Sequence, residues 1–253
     1  MSILDRIAGF PGDVGFYMKR LSGGEALCFQ PDRPLVAASV IKVPVMVAAF
    51  REIAAGRLDE NEICEIAAGD KVPSCGALTY MHDGLRVTLM DLITLMIILS
   101  DNTATNRVID IVGIPTVNAA MGELGIPGID LQRKMFDAAM AAKGYTNTVT
   151  ARGIGILLER LAKNALLGAP WDGRMLNILL DQRLNGKLPF FLHPAGIDVA
   201  HKTGEDEGTT HDAGIVFSAD PFVIVMLSNN VNVPAFERLI QDAAAELAGV
   251  DTV

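Results

Sequence analysis

Paired cysteines are missing from this chain. The three present, Cys28, Cys64 and Cys75, are odd in number and share no regular spacing. That argues against a disulfide framework or a zinc site, and the three read as buried thiols. Clustered positive charge is missing too. Lys and Arg total 21 against 30 Asp and Glu, giving a formal net charge of -9 and a pI near 4.9. Nothing gathers the cations that a nucleic-acid backbone requires, so no nucleic-acid partner is expected. The long apolar stretch near the middle, LITLMIILS, is too short to span a bilayer, and no membrane contact is expected. The start, MSILDRIAGF, carries no basic leader, no long apolar run and no small-residue cleavage site. As given, the chain reads as cytoplasmic; a signal removed beforehand would make it periplasmic or secreted. His82, His193, His201 and His211 match no compact zinc pattern, so neither a metal nor a cofactor is expected. Internal repeats and low-complexity tracts are absent as well.

What remains is a globular composition, half hydrophobic and one fifth charged over 253 residues. That length supports one large domain or two small ones. Residues 3–9 read as a short amphipathic helix. VGFYMKRL and ALCFQ flank Ser-Gly-Gly-Glu as a hairpin. A helix is expected from Ser39 to Ala55, with Pro44 inside its first turns, and short strands around 63–72. Residues 88–112 carry two helical patterns, the first apolar nearly all round. Further helices are expected at 115–124, 151–168 and 171–183, with a long loop over 126–150. DVAHKTG, DAGIVFSA and FVIVMLSN read as strands, and PAFERLIQDAAAELAG as a closing helix. Strands at both ends with helices between imply an α/β (α+β) fold. Residues 1–35 and 185–253 would form a discontinuous sheet domain, an antiparallel sheet flanked by the terminal helices. Residues 36–184 would form a helical domain, with the site in the cleft between.

Three short motifs carry chemistry. In SVIK, Ser39 starts a helix and Lys42 lies on the same face. A serine hydroxyl needs a base, and a buried lysine whose pKa is lowered by desolvation can serve. The SDN triplet, Ser100 to Asn102, follows the apolar helix, where it also suits an ordinary helix cap. KTG, Lys202 to Gly204, sits on a strand, where the glycine allows close backbone approach. Each alone is weak; their order and context are specific. The set SxxK, SDN, KTG resembles the signature of class A β-lactamases and penicillin-binding proteins. LMDLITLMIILSDNTATNRVID and HKTGEDEGTTHDAGIV are similar to the corresponding segments of that family, and the likeness runs from about residue 14 to 245.

That resemblance implies a serine hydrolase in which Ser39 is acylated. Lys42 would accept its proton, Ser100 would pass a proton to the leaving nitrogen, and Lys202 would polarise it. The oxyanion hole would be the backbone N–H groups of Ser39 and Glu205. Asn102, Thr203, Gly204, His211 and Tyr80 would contact the substrate, a small β-lactam or peptide-like amide or ester, and the protein would be a monomer. Two departures stand out. The family carries a deacylating glutamate two residues after an arginine, and in LQRKMFDAA that spacing from Arg133 falls on Met135, leaving Asp137 as the nearest substitute base. His211 falls where many members carry a carboxylate-binding arginine. A β-lactam- or peptide-binding receptor that is acylated and stays so, and a carboxylesterase, are the alternatives.

Overall fold

The computed structural model describes residues 2–73 and 75–251. Ser2 starts α1 (Ile3–Ala8) with a capping box, its hydroxyl accepting the Asp5 N–H while the Asp5 carboxylate accepts the Ser2 N–H. The expected hairpin follows as β1 (Asp13–Arg20) and β2 (Leu27–Phe29), paired antiparallel. A short strand, β3 (Leu35–Val36), leads into a 3-10 turn, Ala38–Ile41, and that turn runs straight into α2 (Lys42–Ala54). Pro44 is the third residue of α2, within its first turn, and does not break the helix. Next come β4 (Ile63–Ile66) and β5 (Leu85–Thr88), then α3 (Leu89–Ile98), α4 (Asn102–Val112) and α5 (Ile114–Glu123). The strand expected over 63–72 is only β4, and its partner β5 escaped the sequence reading because LRVT is short and half polar.

The stretch expected as a loop over 126–150 holds β6 (Ile129–Asp130), α6 (Ala138–Ala142) and β7 (Thr148–Val149). These elements are too short for periodicity to reveal. Strands β3, β7 and β6 form a small sheet, with Leu35 and Ile129 both paired to Val149. This pairing fastens the 129–149 segment beside Ser39. The helices α7 (Ala151–Ala162) and α8 (Trp171–Leu180) end earlier than periodicity implies. Asn164, with φ 52°, turns the chain left-handed just after α7.

The last third supplies β8 (Val199–Asp206), β9 (Thr209–Val216), β10 (Phe222–Asn229) and α9 (Val233–Ala248). The five-stranded antiparallel sheet runs β2-β1-β10-β9-β8, so both ends of the chain meet at β1 and β10. Alternation along the strands fixes two faces. Phe16, Ile224 and Met226 pack with Ile3, Ile7, Phe236 and Ile240 of α1 and α9. Tyr17, Val225 and Leu227 face the other way and join the helices, including Leu157 and Leu158 of α7. Within the helical layer α2 is buried almost all round, as a central helix must be. No helix of the described residues is long and apolar enough to cross a membrane.

The turn between α7 and α8 depends on one carboxylate. Asp172 is buried and accepts the N–H groups of Leu166, Leu167 and Gly168 at 2.9, 2.9 and 3.2 Å. Asp172→Ala strands these donors away from water and is expected to cost about 3 kcal/mol. A thermal melt should show Tm lowered by roughly 10 °C, with Asp172→Asn falling between the two. A melt unchanged within a degree or so would contradict this account of the turn.

Candidate active site

One edge of the sheet is β8, and the helical layer stands against it. A cleft of about 420 Å³ lies there, lined among others by Ser39, Ser100, Asn102, Met135, Thr203 and Glu205. Ser39 enters it from the 3-10 turn before α2, following Ala38, which holds φ at 42°. Because the turn begins here, the Ser39 N–H has no carbonyl of its own turn to bond. Ser100 sits between α3 and α4 with φ 54°, a left-handed conformation unusual for serine. Asp101 secures it: Oδ1 accepts the Ala104 N–H and Oδ2 accepts the N–H groups of Ala77 and Leu78. The SDN aspartate thus caps α4 and ties the 75–78 segment to the cleft wall.

Below Ser39 two buried lysines converge on one hydroxyl. Lys42 Nζ lies 2.7 Å from the Ser100 carbonyl oxygen, 2.8 Å from Asn102 Oδ1 and 3.0 Å from Ser100 Oγ. Lys202 Nζ donates to Ser100 Oγ at 3.0 Å and to the Thr203 carbonyl at 2.8 Å. Both side chains are fully buried. Burial, and next the charge of Lys202, push Lys42 well below the ordinary lysine range. Burial pushes Lys202 down to about 7. Three oxygens thus surround Lys42 Nζ, and the bias toward its neutral form comes from burial and the neighbouring cation.

The edge amides follow from strand alternation. The carbonyls of His201 and Thr203 turn toward the open edge, where Gln182 reaches the first and Lys202 the second. A period of two places the Glu205 N–H on that same edge. Gly204 explains the close approach: a Cβ there would lie 3.0 Å from the His211 ring and 3.2 and 3.3 Å from Val40 and Ala38.

Several residues singled out from the sequence lie elsewhere. His211 is fully buried and outside the cleft wall; its Nε2 faces the Val36 carbonyl at 2.8 Å, and its Nδ1 accepts the Ser228 N–H at 3.0 Å. Burial lowers its pKa to about 4, so it offers no cation to a carboxylate near neutrality. Tyr80 is 81% exposed and lines no part of the cleft. Asp137 caps α6, its Oδ1 accepting the Met140 N–H at 3.0 Å, and it too is outside the cleft wall. Cys64 is buried and Cys28 half-buried, but Cys75 is exposed and lines the cleft, contrary to the expectation of three buried thiols. No group of three His, Cys, Asp or Glu among the described residues is arranged to hold a metal.

Met135 does line the cleft. Its backbone is held on both sides by Asn106, whose Oδ1 accepts the Met135 N–H at 2.7 Å and whose Nδ2 donates to the Met135 carbonyl at 3.0 Å. Asn147 does the same one turn of chain earlier, accepting from Gln132 and Arg133 and donating to the Arg133 carbonyl. Neither asparagine was singled out from the sequence. Nothing but a polar residue at a buried helix position and another in a loop marked them.

Comparison with known proteins agrees with this fold. The beta-lactamase enzyme family matches residues 2–250. A β-lactamase from Sphaerobacter thermophilus superposes with a TM-score of 0.89 at 30% identity, covering 98% of this chain and 95% of that one. PBP-A superposes with a TM-score of 0.87 at 28% identity, over 98% of this chain and 93% of its own. A variant of PBP-A, equally similar, was solved as an acyl-enzyme complex with penicillin G. Among curated proteins, the β-lactamase regulatory protein BlaB of Streptomyces cacaoi is 27% identical, with 87% of this chain and 85% of that protein covered. With a match over nearly its whole length and the β-lactamase fold, this chain belongs to the beta-lactamase enzyme family.

Proposed function

We propose that this protein is a β-lactamase-type serine hydrolase that takes an acyl group from a β-lactam, or a related amide or ester, onto Ser39 and releases it slowly. The observation that carries this reading is Ser100 Oγ held between Lys42 Nζ and Lys202 Nζ at the floor of the cleft that Ser39 lines. Neutral Lys42 takes the Ser39 proton as Oγ attacks the carbonyl carbon. The oxyanion lies against the N–H groups of Ser39 and Glu205. The proton then passes from Lys42 through Ser100 Oγ to the leaving nitrogen as the C–N bond breaks. Thr203 and cationic Lys202 hold the substrate carboxylate, and Asn102 holds the amide side chain.

Release is a separate step that needs a water and a base. The thioether of Met135 cannot accept a proton, and Asp137 is engaged as a helix cap. A second reading rests on the same methionine: a receptor that is acylated and stays so. The name of the Streptomyces relative, a regulatory protein, favours that reading. Mass spectrometry after mixing with penicillin G separates the two. A Ser39 adduct that decays over minutes to hours with product release supports the slow hydrolase. An adduct that never decays supports the receptor, and absence of any adduct would sink both.

The two lysines also set a pH profile. Acylation needs Lys42 neutral, so the rate falls as acid protonates it, well below the ordinary lysine range. Capture of a carboxylate needs Lys202 charged, so the rate falls again as pH rises through about 7. Penicillin G should therefore give a bell-shaped acylation profile, while a neutral ester lacking a carboxylate should keep the acid limb and lose the alkaline one. Identical profiles for both substrates would contradict the role given to Lys202.

A further inference from the structure

Lys187 has no part in the reaction just described, yet it is a buried cation, 4% exposed. Burying an ammonium is costly unless several partners repay it. Its partners are specific. Nζ lies 3.0 Å from Glu205 Oε1 and 3.7 Å from Glu237 Oε1 of α9. It also donates to the Gly204 carbonyl at 3.4 Å and to the His211 carbonyl at 3.2 Å. Gly204 and His211 face each other across β8 and β9. The Gly204 carbonyl belongs to the same peptide group as the Glu205 N–H, the second donor of the oxyanion site.

We propose that Lys187 is a positioning residue for that donor: it polarises the Gly204–Glu205 peptide and neutralises the Glu205 carboxylate beside the oxyanion. Resonance carries electron demand at a carbonyl oxygen through to the N–H of the same planar group, strengthening it as a donor. The ion pair matters because Glu205 and Asp206 both line the cleft and would otherwise set two negative charges in its wall. Lys187 neutralises the first of these. This inference rests on the acyl-transfer reading above, and it adds to it a residue that never touches substrate.

The test compares an oxygen ester of phenylacetic acid with its thionoester, measuring acylation of Ser39 in the full chain. A C=S group accepts hydrogen bonds poorly, so a weakened oxyanion donor penalises the oxygen ester selectively. Lys187→Met is expected to slow the oxygen ester about tenfold and the thionoester less than about twofold. Lys187→Arg should restore most of the selective loss. The double variant Lys187→Met with Glu237→Gln removes the stranded carboxylate, and carries the same test should the single variant fold poorly. Equal slowing of both substrates, or slowing of neither, would overturn the proposal. Failure of the underlying reading looks different: the wild-type protein would then form no Ser39 adduct with either substrate, and the inference would fall with it.

Discussion

Ser39→Ala is expected to abolish the penicillin adduct while leaving the melting temperature nearly unchanged. The rate of acylation should fall by about 10⁴-fold or more, the scale on which loss of a serine nucleophile acts. The large effect follows from the cleft itself. Ser39 Oγ would form the covalent bond, and neither the other serine nor the cysteine lining the cleft among the described residues is set to replace it. Ser100 Oγ is held 3.0 Å from both Lys42 and Lys202, so an attack from it would break the proton relay it serves. Cys75 lines the cleft, but on the separate segment fixed by Asp101 through Ala77 and Leu78. Lys42→Met should come close to the same loss with Ser39 intact, because the hydroxyl then keeps its proton. Intact-mass measurement followed by peptide mapping checks both variants. A penicillin adduct that persists in Ser39→Ala, mapped to Ser100 or Cys75, would show that the nucleophile has been misassigned.

The sequence made the chemistry of this cleft easier to read than its walls. Ser39, Lys42, Ser100 and Lys202 occur in short motifs that are weak singly, and it was their order and the resemblance to the β-lactamase signature that marked them. The five-stranded sheet was legible for a different reason. The apolar runs FVIVMLSN and DAGIVFSA are too short for helices, and both ends of the chain needed a partner. Long-range partners were not legible. His211 follows KTG at the spacing of a substrate-binding cation, yet the carbonyl of Val36 and the N–H of Ser228 take both of its ring nitrogens. Those two residues are 175 and 17 positions away in the chain. Lys187 was not singled out from the sequence, because its partner Glu237 on α9 lies fifty residues on. Asp137 was the nearest carboxylate in sequence to the vacant glutamate position. Five residues of helix, too few for a periodic signal, put its side chain to use as a cap.

Met135→Glu is expected to shorten the life of the acyl-enzyme by 10²- to 10⁴-fold, roughly the contribution of a positioned general base. The backbone at 135 is already held on both sides by Asn106, and the side chain already faces the cleft that contains Ser39. Glutamate is unbranched and of similar length, so it enters with the same backbone and projects a carboxylate where the thioether was. Arg133 lines the same cleft and favours the ionised form needed to take a proton from water. Met135 also packs against the main core, so some stability should be lost with its apolar contacts, about 1 kcal/mol for a partly buried side chain. Acylation itself should change little, since Lys42 and Ser100 are untouched. The measurement is a penicillin G time course: wild type should show a burst and then slow turnover, and Met135→Glu steady hydrolysis with little accumulated adduct. Asp137→Asn provides the internal control. Among the described residues its side chain serves only the Met140 N–H, which an asparagine oxygen accepts as well, so the adduct should live as long as in the wild type. If the Met135→Glu adduct is as long-lived as the wild-type one, the slow step lies in access of water to the ester and not in the missing base. If Asp137→Asn alone prolongs it, Asp137 has been the base throughout.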